Sequence, residues 1–492
     1  MNKPLRRIAI FCGLLVLALL ARDNWIQYVQ ADTLREDPDN RRVAIARYAT
    51  PRGDIIVGGS PITGHTATSK GDFKYKRTYK NGAMWAPVTG FVSQAYGANQ
   101  LENIEDGILT GNDDRLFFRN TLDMVTGKER EGGNVVTTLS AAAQKAAYNG
   151  LKKQGAKGAV AALDPSTGKI LALASYPSYD PSTIAGGGES DAEAWKKLDK
   201  KNNPNDPMLN RALREVYPPG STFKVVTAAA ALENGLYDSA DVKTNSPLPW
   251  IMPGTTTPLK NEGNIPCKNA TLREALRVSC NSVFGKVGAD LGNDKMLAEA
   301  KKFGFDAEQF TPVRSSASVF SDDMNQSQTA LSSIGQYNTA ATPLQMAMVA
   351  SAVANDGTLM KPYMVDKLQA PSLDPVESTE PEKLSQPLSP KNAQILQSMM
   401  ETVVKDGTGT NAQIGGGITV GGKTGTAQHG ENNSKNPYAW FLSYAKLADG
   451  SSPVAVAVVV EDDAAVRDDI SGGGLAAPIA KSVMEAVINS KK

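Results

Sequence analysis

The spacing of apolar and polar positions divides the chain into three stretches with different rhythms. From Ile8 to Ala21 the sequence is almost unbroken apolar, and Lys3, Arg6 and Arg7 precede it. At 1.5 Å per residue this run falls somewhat short of a bilayer core of about 30 Å. Trp25, Ile26 and Tyr28 extend it into the far interface, where aromatic rings sit well. The pattern predicts an uncleaved signal-anchor helix within residues 1–31, with everything after about Asp23 outside the cytoplasm by the positive-inside rule. A cleaved signal peptide is the alternative, with Val16-Leu17-Ala18 as a poor cleavage site. The basic flank disfavours a buried soluble helix.

Residues 32–133 show no long helical period. Ile55, Ile56 and Val57 before Gly58-Gly59 read as strand, turn and strand. "NGAMWAPVTGFVSQAYGANQLE" gives further apolar bursts broken by glycine, so a strand-containing extracytoplasmic module is expected. From 134 onward longer elements appear. "NVVTTL" predicts a strand, and an Ala-rich helix follows with Ser140 as N-cap and Gly150 or Gly155 as its end. "GAVAALDPSTGKILALASYP" predicts two strands joined by a Pro/Gly turn. Helices are predicted over Phe223–Gly235, in "TLREALRVSCNSVFGKVGADLG", whose apolar positions keep helical spacing on either side of Cys280, and in "TPLQMAMVASAVANDG". The last has Thr342 as N-cap, Pro343 at the first position and Gly357 as the stop. Ala370 to Pro390, rich in Pro, Ser and Glu, reads as an exposed connection. "GITVGGKTGTAQ" and "SSPVAVAVVVEDD" are β-type, and "GLAAPIAKSVMEAVINSKK" is a closing helix. The fold class is therefore α/β (α+β), with helices packed on a sheet and no internal repeat.

Composition narrows the function more than the fold. With 492 residues, 41% of them hydrophobic and 21% charged, the chain is globular with room for two or three domains. Lys plus Arg (52) nearly equals Asp plus Glu (51), which gives no electrostatic case for a nucleic-acid partner. Only His65 and His429 are available for imidazole chemistry. No HExxH or CxxC occurs, so neither a zinc site nor a thioredoxin-like pair is indicated, and no cofactor is required.

Three short motifs carry candidate chemistry. Ser221-Thr222-Phe223-Lys224 opens the Ala-rich helix, and residues three apart share a helix face, so an amine lies beside a hydroxyl. A buried lysine has a lowered pKa and can act as a base. Ser279-Cys280-Asn281 is the second motif. The third, Lys423-Thr424-Gly425-Thr426, lies on a strand whose glycine allows close backbone approach, and its hydroxyls and amine suit a carboxylate. Single motifs of this kind arise by chance: Ser166-Thr167-Gly168-Lys169 repeats the first but sits in a turn, and Ser434-Lys435-Asn436 repeats the second on the wrong side of the third. The ordered trio, each in its fitting local structure, is the signature of serine β-lactamases and penicillin-binding proteins.

"GAVAALDPSTGKILALASYPSYDP", "NRALREVYPPGSTFK", "IGQYNTAATPLQMAMVASAVANDGTLMKP", "VVKDGTGTNAQ" and "GGKTGTAQ" followed by "AWFLSYA" also resemble the transpeptidase domain of monofunctional, class B penicillin-binding proteins. The resemblance covers roughly Gly133 to the C-terminus, expected as one domain over 134–492. "ATPRGDIIVGGSPI" and "VTGFVSQAYGANQLE" are similar to the N-terminal module of that family, here a pedestal- or dimerisation-like module over 32–133. The short form looks most like the actinobacterial penicillin-binding protein A type and leaves no room for a glycosyltransferase domain. The resemblance implies a penicillin-binding transpeptidase fold and a peptidoglycan D,D-transpeptidase of the cell membrane, in cell-wall synthesis and cell division. It would act on D-Ala-D-Ala stem peptides, be acylated by β-lactams, and work with other cell-wall proteins. It also implies roles: Ser221 as nucleophile, Lys224 as base, Ser279 as proton relay, Asn281 holding Lys224 and substrate, and Lys423 supplying positive charge. Thr424, Gly425 and Thr426 would bind the substrate carboxylate and backbone, and the N–H groups of Ser221 and Thr426 would form the oxyanion hole.

Rival readings are weighed on single features. A β-lactamase needs a carboxylate to activate water, and Glu299, in the helix pattern "MLAEAKKFGF", is a poor candidate. A D,D-carboxypeptidase differs only in using water. A β-lactam-binding scaffold would need no chemistry at all. His429 reads as an exposed loop residue and Trp440 as core. With Cys12 in the anchor, Cys267 and Cys280 are an exported pair that invites a disulfide closing a short loop; two buried free thiols are the alternative.

Overall fold

The computed structural model describes residues 3–35, 37, 40, 42, 45, 47–68, 72–116, 131–200, 202–461, 466–467 and 470–491. Residues 117–130 of the expected N-terminal module, and Asp462 and Asp463 of the last expected strand, lie outside them. The N-terminal helix Lys3–Tyr28 is apolar and long enough to cross a membrane, and none of its residues is buried. It fits a single-pass membrane anchor.

The C-terminal part of the chain is built on a five-stranded antiparallel sheet. Its strands are β1 (Lys157–Leu163), β2 (Ile170–Tyr176), β3 (Thr419–Ala427), β4 (Tyr438–Lys446) and β5 (Val454–Glu461), in the order β3-β4-β5-β1-β2. Both faces are covered, so the strands read as continuous apolar runs. The period-2 alternation persists beneath that uniformity. Val454, Val456, Val458 and Val460 of β5 face one core, under the helices Ala141–Gln154 and Ala477–Ser490. Ala455, Ala457 and Val459 face the other, under helix Pro343–Ala354. That helix is buried from Pro343 to Val353 on every side, and small side chains beneath it permit the close approach. β3 is an edge strand, which leaves one row of its backbone groups unpaired within the sheet.

A second five-stranded sheet joins the two sequence regions. Asn134–Thr137 pairs in parallel with Ile55–Val57 and antiparallel with Val365–Gln369. Pro375–Ser378 adds the outer strand. The stretch 370–390 is thus partly sheet and not merely a connection; its proline and charges are those of an edge strand, which masks it in the sequence. "NGAMWAPVT" is likewise a helix, Gly82–Thr89, with Pro87 inside it, where glycine-broken bursts suggested strands. The Ala-rich helix ends at Gly155, in left-handed conformation, while Gly150 packs inside it against Ile479.

The N-terminal module is tied down by a buried charge cluster. Arg52 and Arg77 each place Nε 2.7 Å from the Glu102 carboxylate, which is fully buried. Burial alone would raise the Glu102 pKa, yet Arg77 and Arg52 hold it below the ordinary carboxylate value. Gly53, beside Arg52, has no space for a side chain, because a Cβ would lie 1.8 Å from Gly133 O. Glu102→Ala would remove the carboxylate that both buried guanidinium groups share, leaving Arg52 with Asp106 alone and Arg77 with the more distant Asp54, 3.6 Å away. The expected loss is about 3–5 kcal/mol of unfolding free energy in urea titration; a loss under about 1 kcal/mol, as for an exposed pair, would show that the cluster is not structural.

Candidate active site

Ser221 sits in a one-turn 3-10 helix, Gly220–Phe223, that runs directly into α1 (Lys224–Glu233). In a 3-10 turn, side chains three apart eclipse, so Ser221 and Lys224 emerge together. Gly220 has φ 54° and donates its N–H to Gly335 O at 2.9 Å. Ser221 is half-buried, and Lys224 is fully buried.

The second motif lies in a break between two helices, not within one. α2 (Leu272–Arg277) stops, Ser279 takes φ 60°, and Cys280 caps α3 (Asn281–Leu291). A non-glycine residue at positive φ is uncommon and favours sites under functional constraint. The break turns Ser279 and Asn281 toward Lys224. Lys224 Nζ lies 2.7 Å from Ser279 O, 2.6 Å from Asn281 Oδ1 and 3.3 Å from Ser279 Oγ. Asn281 Nδ2 donates to Lys260 O at 3.0 Å, which fixes the amide orientation. Cys267 and Cys280 form a disulfide with Cα atoms 6.4 Å apart.

The third motif occupies edge strand β3. Lys423 Nζ donates to Ser279 Oγ and to Thr424 O, both at 2.9 Å. Gly425 lies over the serine turn, and a Cβ there would sit 3.0 Å from Pro219 O and Thr222 Cγ2. Alternation places Thr424 and Thr426 on the opposite face from Lys423. Thr424 Oγ1 is 2.6 Å from Thr408 Oγ1 and is buried, so Thr426 is the more open of the two. Trp440 is core, as expected: it is fully buried and its Nε1 donates to Pro218 O at 3.0 Å, bracing the turn ahead of Ser221.

Two lysines therefore share one serine hydroxyl. Burial pushes the Lys224 amine well below its ordinary range, and the Lys423 charge lowers it further; the Glu262 carboxylate opposes both. Burial pushes Lys423 down to about 7, again opposed by Glu262. Burial thus disfavours the charged form of both amines, and the Lys423 charge adds to this at Lys224. A neutral amine has two N–H bonds and one lone pair. In that form Ser279 O and Asn281 Oδ1 would take the two N–H bonds, and the lone pair would be open to a hydroxyl proton; Ser279 Oγ is the hydroxyl within 3.3 Å.

Glu262 and Lys260 carry no motif of their own and lie in a segment whose place is set only by the tertiary fold; Thr408 lies in "VVKDGTGTNAQ", a stretch that by itself suggests no role for it. His429 departs from its expected exposure. It is half-buried, with Nε2 2.7 Å from Asn436 O and its ring stacked on Tyr438. Glu299 is buried and paired with Lys302. Its other charged neighbour is Glu233, at the opposite end of α1 from Lys224. It therefore belongs to a different part of the fold from Ser221.

A serine and a buried lysine on one turn, with a second buried lysine across a shared serine, suit a serine acyl-transferase site on an α/β scaffold. The comparisons specify it further. Residues 158–485 match the penicillin binding protein transpeptidase domain, and residues 52–135 match the penicillin binding protein A dimerisation domain. The chain is 40% identical to the peptidoglycan D,D-transpeptidase PbpA of Mycolicibacterium smegmatis, over 99% of each chain. It superposes on penicillin-binding protein A from M. tuberculosis in its ceftriaxone acyl-enzyme complex with TM-score 0.83, at 39% identity, over 90% of this chain and 100% of that one. The penicillin G acyl-enzyme complex of the same protein gives 0.82 at 40% identity, over 89% and 100%. The chain belongs to the penicillin-binding protein transpeptidase family.

The disulfide offers a direct test of how the second motif is held. Replacing Cys267 and Cys280 together by alanine should cost about 3 kcal/mol through the entropy of the short loop. It should also slow β-lactam acylation, because Cys280 is flanked by Ser279 and Asn281. Denaturation and stopped-flow acylation read the two effects; unchanged acylation would show that the helix break alone positions the motif.

Proposed function

We propose that Ser221 is the nucleophile of this penicillin-binding D,D-transpeptidase, which cross-links peptidoglycan stem peptides through a covalent acyl-enzyme. The observation that supports the assignment is the Lys224 amine, buried, donating to Ser279 O and Asn281 Oδ1, and set one turn from Ser221; in its neutral form its lone pair takes the Ser221 proton. Ser221 Oγ attacks the carbonyl of the penultimate D-alanine, and the N–H groups of Ser221 and Thr426 stabilise the oxyanion. Ser279 Oγ, in reach of both lysines, passes a proton to the departing D-alanine amine. Thr424 and Thr426 bind the terminal carboxylate, Lys423 keeps the site electropositive, and Gly425 lets the peptide backbone approach β3. A second stem peptide then attacks the ester with its amine, forming the cross-link and releasing Ser221. A β-lactam follows the first half of this course, but its leaving amine stays tethered.

The reading extends to the whole chain. Residues 1–31 anchor it, 32–133 form a module that meets other cell-wall or division proteins, and 134–492 carry the chemistry outside the cytoplasm. The remoteness of Glu299 disfavours a β-lactamase, which would need an acid beside the acylated serine.

Incubation with benzylpenicillin should give a persistent adduct on Ser221 by mass spectrometry, and Ser221→Ala should abolish it while leaving thermal stability unchanged. Rapid turnover of the adduct would instead indicate a β-lactamase, and labelling of the alanine variant would sink the nucleophile assignment. The pH dependence follows from the two lysines. Acylation should rise as Lys224 loses its proton and fall as Lys423 loses its own near pH about 7, giving a bell. A profile that rises and stays level would remove Lys423 as the charged partner.

A further inference from the structure

The two walls of the proposed oxyanion hole come from distant parts of the chain. Ser221 lies on the turn before α1, and Thr426 lies on β3. Their N–H groups must be held to a fixed separation, since such donors work only at hydrogen-bond distance from the developing oxyanion. One segment touches both walls. Gly335 O accepts the Gly220 N–H at 2.9 Å, one residue before the nucleophile. The fit is close enough that a Cβ at Gly335 would lie 2.0 Å from Gly220 O. The next residue, Gln336, reaches the other wall. With its amide oriented to satisfy both groups, it donates to Gln428 O and accepts from Gln428 N, each at 3.3 Å. Gln428 follows the last residue of β3 and is two positions from Thr426, so its backbone groups face the same side of the strand.

Gln336 is itself firmly based. It follows α4 (Gln326–Ser332), which ends in a Schellman motif. The Gln336 N–H donates to Leu331 O, and the Gly335 N–H to Ser332 O, with Gly335 at φ 74°. The preceding turn is bolted to α1 by Thr227 Oγ1, which donates to Ser333 O at 2.6 Å. It also rests on α3, where a Cβ at Gly288 would meet Ser333 Oγ at 2.0 Å. The helix end is thus fixed to the elements that carry Lys224 and Asn281.

We infer that Gln336 is a positioning residue: its side-chain amide straps the end of β3 to the serine turn and sets the gap between the Ser221 and Thr426 N–H groups. It touches neither the substrate nor the reacting atoms. The inference rests on the oxyanion-hole assignment made above.

The test uses Gln336→Met, which keeps length and volume but loses both hydrogen bonds, and Gln336→Glu, which keeps an acceptor and places an oxygen against Gln428 O. Stopped-flow acylation by benzylpenicillin separates non-covalent affinity from the acylation step. Infrared spectroscopy of the acyl-enzyme reads the ester carbonyl, whose stretching frequency rises as oxyanion-hole hydrogen bonds weaken. Both variants should acylate about 10-fold or more slowly, short of the 100- to 1000-fold typical of deleting a donor outright. Non-covalent affinity and thermal stability should be unchanged, and the carbonyl band should move to higher frequency. Acylation at the wild-type rate with an unmoved band would overturn the inference. So would a rate loss that appears only together with a lower melting temperature, since that would make Gln336 a structural residue. If wild-type protein carries no adduct on Ser221, the assignment of the site itself has failed, and not only the strap.

Discussion

Removing the Lys224 amine from water is the constraint around which the catalytic half is arranged. A lysine in bulk water is a poor base because it holds its proton, and a lysine in an apolar core would be a heavy destabilisation. This site takes a middle course. The amine is buried, but a carbonyl and an amide oxygen occupy its N–H bonds, so the neutral form is fully satisfied. Lys423 then adds a repulsion that works only on the protonated state. Three elements meet to make this environment: the serine turn, the break between α2 and α3, and the edge of β3. Each carries local features that are costly elsewhere, such as Ser279 at positive φ and glycines pressed against backbone at Gly220 and Gly335. These are the places where stability yields to function.

Much of this was legible in the sequence because the chemistry is concentrated in short motifs with matching local structure. Ser221 and Lys224 are one turn apart, so spacing alone places them together. Ser279 and Asn281 bracket a cysteine, and the resemblance of the surrounding segments directed attention to them. The geometry of the second motif was not legible. Apolar periodicity runs through both α2 and α3, and nothing in the residue types announces that the helix breaks at Ser279. Glu262 and Gln336 illustrate a different limit. Each acts by where the fold brings it, across more than one element, and neither stands in a pattern that periodicity or composition detects. The strand Pro375–Ser378 was hidden for the opposite reason: its edge position favours the prolines and charges that read as loop.

The two sequence regions are less separate than a boundary near Gly133 suggests. Gly53, Gly132 and Gly133 meet backbone to backbone, and beside them the Arg52–Glu102–Arg77 cluster locks the N-terminal segment. The shared sheet continues the contact through Ile55–Val57, Asn134–Thr137 and Val365–Gln369. A force applied to the N-terminal module would therefore be felt in hydrogen-bonded strands, not in a slack linker.

That sheet also imposes an order of events on the newborn chain. Ile55–Val57 and Asn134–Thr137 leave the ribosome early, but their neighbour Val365–Gln369 follows about 230 residues later, roughly 10–50 s at ordinary elongation rates. During that interval one side of Asn134–Thr137 stands open, with apolar Val135 and Val136 exposed to any other extended strand. The same pairing that later joins the two halves makes the half-made protein vulnerable to pairing with the wrong partner.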